Sequence, residues 1–141
     1  MNRRKFIEQS CFACASTMAG VSLLSLESCA SSKNVLLATF ENGSLVIPAD
    51  SFKEQNTQVV KSSNYSDEIF VVKENNSYKA FKMKCTHKGA GLKVEGNELK
   101  CPLHGSRFDI IEGKVLNGPA KTNLQGFPVE IVGNSIKIKV A

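Results

Sequence analysis

A chain of 141 residues, 42% hydrophobic and 22% charged, has the make-up of one globular domain and can build a core without disulfides. Its formal net charge of +5 comes with no extended basic run and no interleaving of aromatic and basic residues, which argues against a nucleic-acid surface. Three of its five cysteines fall in the first thirty residues; the other two, Cys85 and Cys101, each have a histidine close behind, a pattern that favours a metal over a disulfide.

Residues 1–32 are laid out as an export signal. Arg3, Arg4 and Lys5 make a positive start, Gln9 to Leu26 carries no charge, and Leu26-Glu27-Ser28-Cys29 precedes small residues. Asn2-Arg3-Arg4-Lys5-Phe6-Ile7 resembles the twin-arginine signal, and the modest hydrophobicity of residues 9–26 suits that route better than a Sec signal, which is the alternative. Leu26–Cys29 resembles a bacterial lipobox, whose cysteine is lipidated and becomes the new N-terminus. An uncleaved anchor over residues 9–26 competes with it; that stretch is about the minimum to span a bilayer but is rich in Ser and Thr. The expected organisation is an export signal over 1–28, a linker over 29–34 and one domain over 35–141. The protein would be exported and tethered to a membrane by lipid at Cys29, on the periplasmic side of the cell envelope.

The body carries strand signals and almost no helical period. Val35–Phe40 and Ser44–Ile47 flank the turn Glu41-Asn42-Gly43. Glu68–Lys73 and Ser77–Lys84 flank Glu74-Asn75-Asn76, and the lysines of the second segment predict one dry and one wet face. Leu92–Val94 and Glu98–Cys101 flank Glu95-Gly96-Asn97, and Phe127–Val132 and Ser135–Val140 are joined by Gly133-Asn134, suited to a primed turn. Short strands joined by Gly/Asn turns predict an all-β, antiparallel barrel or sandwich.

Within this frame lies Cys85-x-His87, then thirteen residues, then Cys101-x-x-His104, holding both histidines of the chain. Zinc is one reading, although a single residue between two ligands is unusual for it. A redox cysteine pair with incidental histidines is a second. A [2Fe–2S] cluster with two histidines replacing two cysteines on one iron is a third, and it explains more of the local sequence. Gly89, Gly91 and Gly105 follow the ligands closely, where backbone would have to approach bridging sulfides.

CTHKGAG and CPLHGSRFD closely resemble the two cluster-binding boxes of the Rieske iron–sulfur proteins, and residues 113–124, GKVLNGPAKTNL, resemble the stretch ending in that family's proline loop. The resemblance implies a β-sandwich base with a cluster-binding subdomain over about 84–118, and one [2Fe–2S] cluster held by Cys85, His87, Cys101 and His104. It places Gly118 and Pro119 over the cluster. Respiratory members carry an extra cysteine in each box, joined as a disulfide; here Ala90 and Leu103 stand at those positions, as in ferredoxin-type members. High-potential members have a Ser and a Tyr that hydrogen-bond to sulfur; here Ser106 keeps the first and Phe108 lacks the second's hydroxyl. The expected midpoint potential lies inside the Rieske range of roughly −150 to +300 mV but below its top.

The resemblance further implies one-electron transfer coupled to a proton on the imidazoles. With both histidines engaged, the usual ligands of an oxygenase's mononuclear iron are not at hand. Catalysis would then reside in a partner: an exported oxidoreductase or cytochrome or, alternatively, the other subunits of a membrane quinol-oxidising complex.

Overall fold

The apolar run Ile69-Phe70-Val71-Val72 organises the fold. Successive side chains along a strand point to opposite faces, and all four are between 0% and 1% exposed, so the strand carrying them has a core on each side. The computed structural model describes residues 35–141; the expected export signal, Cys29 and the expected linker 29–34 lie outside the described residues.

Thirteen strands occupy the described chain: β1 (Val35–Leu37), β2 (Thr39–Glu41), β3 (Ser44–Pro48), β4 (Thr57–Ser62), β5 (Tyr65–Glu74), β6 (Ser77–Lys82), β7 (Lys93–Glu95), β8 (Glu98–Lys100), β9 (Arg107–Asp109), β10 (Val115–Asn117), β11 (Gly126–Phe127), β12 (Val129–Val132) and β13 (Ser135–Lys139), with one 3-10 turn at Ala49–Phe52. They form a central sheet in the order β1-β4-β5-β6-β11, a second sheet β12-β13-β3-β2 and a small sheet β10-β9-β8-β7. The class is all-β, as the turn spacing predicts.

The central sheet is shared between two cores. Ile69, Val71 and Ala80 pack with Leu45, Ile47, Ile136 and Ile138 of the second sheet to make a base core. Phe70, Val72 and Phe81 pack with Leu99, Phe108, Ile110, Cys85 and Cys101 to make a tip core. The dry-and-wet reading of Ser77–Lys84 is therefore corrected. Ala80 and Phe81 are neighbours and both buried, on opposite faces of the sheet. Lys82 and Lys84 instead converge on the buried Asp67, at 2.7 and 2.5 Å. Hydrogen bonds from Lys82 and Lys84 hold the Asp67 carboxyl below its usual range.

The single strand expected over Val35–Phe40 is broken at Ala38. β2 makes the expected hairpin with β3, but β1 leaves the second sheet and pairs parallel with β4, Val35 opposite Val59. Ala38 donates its N–H to the Lys61 carbonyl at 2.8 Å, so the crossing residue is satisfied. β4 itself, Thr-Gln-Val-Val-Lys-Ser, has too few apolar residues to stand out; it is held by its neighbours and by Gln58 Nε2, which donates to the Ser51 carbonyl at 2.7 Å.

Candidate metal centre

Two loops of nearly the same construction rise from the tip core. In the first, the Cys85 N–H donates to the Ala90 carbonyl at 2.7 Å and the Gly89 N–H donates to the Cys85 carbonyl at 2.8 Å. In the second, the Cys101 N–H donates to the Ser106 carbonyl at 2.8 Å and the Gly105 N–H to the Cys101 carbonyl at 3.0 Å. The offsets from each cysteine are identical. Both turns close through a glycine in the left-handed region, Gly89 at φ +71° and Gly105 at φ +79°, where an L side chain is strained. A Cβ at Gly89, Gly91 or Gly105 would meet no protein atom within 4 Å. Gly89 and Gly105 are thus required by backbone conformation, not by crowding from the protein; nothing in the backbone demands Gly91.

The structure brings the four candidate ligands together as two pairs, thiol with thiol and imidazole with imidazole. Cys85 and Cys101 are each 2% exposed and belong to the tip core. His87 and His104 are exposed, their ring centroids 5.1 Å apart and their planes at 75°. Among the described residues, no three His, Cys, Asp or Glu side chains gather as a site for one metal ion. A thiolate pair below and an imidazole pair above suit two metals, each taking two protein ligands, and this donor set fits a [2Fe–2S] cluster with mixed ligation.

The Cys101 thiol is also prepared as a ligand. Burial pushes the Cys101 thiol up, but the backbone N–H groups of Leu103 and His104 and the Cys85 thiol act the other way, and the net result lies below the usual thiol range.

A strap, residues 118–124, crosses both loops. Ser106, fully buried, accepts the Ala120 N–H on its Oγ at 3.0 Å. Thr86 Oγ1 donates to the Thr122 carbonyl at 2.7 Å. The strap is fastened below by the Asn123 side chain, whose Oδ1 accepts the Val115 N–H at 3.1 Å, and by the Leu124 N–H, which donates to the Gly113 carbonyl at 2.8 Å. Gly113 sits at φ +66°, and a Cβ there would come within 2.8 Å of the Phe81 ring, so this anchor tolerates no side chain.

Sequence reasoning found Ser106, Gly118 and Pro119 in this region but missed Thr86 and Asn123, whose partners lie 36 and 8 residues away in the chain. Phe108 is fully buried, opposite Leu99 and Val115 in the small sheet. Ala90 packs against the tip core and Leu103 is 59% exposed. No thiol stands at either place, and the loops are joined through the strap by one hydroxyl from each.

Comparison with known proteins identifies the domain that carries these loops. The family model for the Rieske [2Fe-2S] domain matches residues 43–128. The ferredoxin component of the naphthalene 1,2-dioxygenase system of Pseudomonas aeruginosa is 38% identical over 60 residues, covering 40% of this chain and 58% of that protein. The ubiquinol-cytochrome c reductase iron-sulfur subunit of Blastochloris viridis is 42% identical over 59 residues, covering 40% of this chain and 32% of that subunit. The chain thus matches little more than half the length of the ferredoxin and about a third of the subunit. Among solved structures, the plasma membrane Rieske protein PetC3 of the cyanobacterium Synechocystis PCC 6803 superposes with a TM-score of 0.55 at 26% identity, covering 65% of this chain and 94% of that one.

Proposed function

This chain belongs to the Rieske [2Fe-2S] family, whose domain binds one [2Fe–2S] cluster and transfers electrons, and on that premise we propose that it is a one-electron carrier tethered on the envelope side of a bacterial membrane, passing electrons to or from a partner oxidoreductase or cytochrome. The observation that carries the reading is the sorting of the four ligands, thiols buried and imidazoles exposed side by side at the tip.

Cys85 and Cys101 would hold one iron and His87 and His104 the other. When bound, the cluster supplies a one-electron couple. Each imidazole keeps a second ring nitrogen, and both rings are exposed to solvent. Ser106 Oγ spends a lone pair on the Ala120 N–H, which leaves its own proton to donate toward sulfur. The tip core keeps water from the thiolates, while the exposed imidazoles give the shortest route to a partner.

The tether rests on the lipobox at Leu26–Cys29, and the envelope location on that and the paired arginines. The plasma-membrane location named for PetC3 is in keeping with it. Similarity to the ubiquinol-cytochrome c reductase subunit favours a second reading, a subunit of a quinol-oxidising complex. Ala90 and Leu103, where respiratory members carry their bracing cysteines, place it behind the first.

Purified protein tests the assignment. A red-brown colour, two irons per chain and the EPR signal of a reduced mixed-ligand cluster are expected. A colourless protein with stoichiometric zinc would sink it. Incorporation of labelled palmitate, abolished by Cys29→Ala, tests the tether separately.

A further inference from the structure

The charges around the tip are sorted as sharply as the ligands. Between residues 84 and 122 there are four carboxylates, and each is engaged locally. Glu95 pairs with Lys100 at 2.9 Å, Glu98 with Arg107 at 3.6 Å and Glu112 with Lys114. Asp109 Oδ1 accepts the N–H groups of Ile111 and Glu112, at 2.9 and 2.6 Å. Lys84 is taken by Asp67. Lys88, Lys93 and Lys121 remain, and among the described residues none of them has an ion-pair partner.

Lys88 and Lys121 belong to the tip itself. Lys88 follows His87 in the first loop. Lys121 lies in the strap between Ala120 and Thr122, the two residues pinned to Ser106 and Thr86. Its backbone is therefore fixed over both loops. The exposed residues beside these lysines in the two loops and the strap include no carboxylate: His87, His104, Pro102, Pro119 and Leu103, the last 59% exposed. Two unpaired positive charges around an apolar, imidazole-bearing centre form an electrostatic docking pattern that a negative rim complements.

We propose that the tip docks onto an electron-transfer protein whose redox centre is ringed by carboxylates, with Lys88 and Lys121 as the steering charges. This rests on the carrier reading above and adds the chemistry of the partner's face. A protein fits better than an anionic lipid surface because the imidazoles are the exit for the electron and must meet a redox centre. The lysines act at long range, raising the rate of encounter with a negative reactant and lowering it with a positive one, an effect that salt removes over a Debye length of about 10 Å at 0.1 M.

Stopped-flow oxidation of the reduced holoprotein tests this with two probes, hexacyanoferrate(III) and tris(1,10-phenanthroline)cobalt(III). Each accepts one electron from one reduced protein and ends in its divalent state. Between about 0.02 and 0.5 M salt, the reaction with the anion should slow at least about threefold and that with the cation should speed up. The double variant Lys88→Glu/Lys121→Glu should reverse both trends while iron content and EPR signal stay unchanged. The variant Lys137→Glu/Lys139→Glu, on β13, makes the same change in net charge and should leave both trends in their wild-type direction.

Equal effects of the two double variants would overturn the proposal, because net charge alone would then explain the rates. It would also fall, in favour of a lipid surface, if Cys29→Ser holoprotein sediments with phosphatidylglycerol vesicles only while Lys88 and Lys121 are intact. Failure of the carrier reading would look different, since a colourless protein would show no cluster absorbance change with either probe.

Discussion

The two cores share a sheet but not a design. The base core is mainly aliphatic, built from Leu45, Ile47, Ile69, Val71, Ile136 and Ile138 with the Phe52 ring among them, and is closed by long strand ladders on both sides. The tip core is built around Phe70, Phe81 and Phe108, and its outer edge is the pair Cys85 and Cys101. Above it the strands shrink to three residues and the loops carry the architecture. The base is closed by its own apolar burial, whereas the tip ends on two thiols, the proposed ligands of the cluster. A metal that binds only the folded tip contributes its binding energy to that half alone.

Iron removal should therefore separate the halves, and this is the largest effect anticipated. In hydrogen exchange on the chelated protein, amides of residues 85–107 and 118–124 should fall toward the unprotected limit, while those of β3, β5 and β13 keep most of their protection. Simultaneous loss in both halves would show that the two cores unfold as one unit and that the distinction is only geometric.

Asp67 sharpens the comparison from the base side, because its ion pairs with Lys82 and Lys84 lie just below Cys85. Asp67→Asn should cost about 1–3 kcal/mol, since it leaves two ammonium groups without their carboxylate. The same contact sets an acid dependence. Asp67's folded pKa is depressed by those lysines, so its contribution is complete above the unfolded value of about 4 and is lost as pH falls through the lower folded one. Urea midpoints across that acid window should drop for the wild type and drop less for Asp67→Asn. Equal acid sensitivity in both would remove Asp67 from the account.

The residues that were legible in the sequence are those whose signal is local. Paired Cys-x-His and Cys-x-x-His boxes, the hairpin turn Asn75-Asn76 and the Gly133-Asn134 connection each sit within a few positions of their partners. What could not be read depends on distant chain. The central sheet's second dry face comes from residues 99–124 covering it, so alternation in Ser77–Lys84 points to the wrong partition. β1 and β2 look like one strand because the break at Ala38 is imposed by β4, twenty residues on. Thr86 offers a lone hydroxyl between two ligands, and only the strap reveals what it holds.

The strap gives a smaller, graded test within the tip. Ser106 and Thr86 each tie one loop to it, the first buried and the second exposed. Ser106→Ala leaves the buried Ala120 N–H unpaired and should cost about 1–3 kcal/mol, whereas Thr86→Val frees a carbonyl that water can reach and should cost about 0.5–1.5 kcal/mol. Thermal unfolding of the two holoproteins should keep that order, and the rate of iron loss to a chelator should follow it. A reversed order would mean that the exposed latch, not the buried one, replaces the missing disulfide.

Phe108→Tyr asks whether the tip core tunes the electron as well as holding the loops. Phe108 is fully buried, so an added hydroxyl must find an acceptor or be desolvated without one. If its ring edge reaches a cluster sulfur, the new hydrogen bond favours the reduced, more negative state. One bond of about 1 kcal/mol corresponds to a rise of about 40 mV in a one-electron couple. Redox titration should show that rise with thermal stability held. The opposite pairing, an unchanged potential with stability lost by about 1–3 kcal/mol, is what a hydroxyl facing only Leu99 and Val115 would give. In that case Phe108 would be a packing residue of the tip core alone, and the potential would be set by Ser106 and the backbone of the two loops.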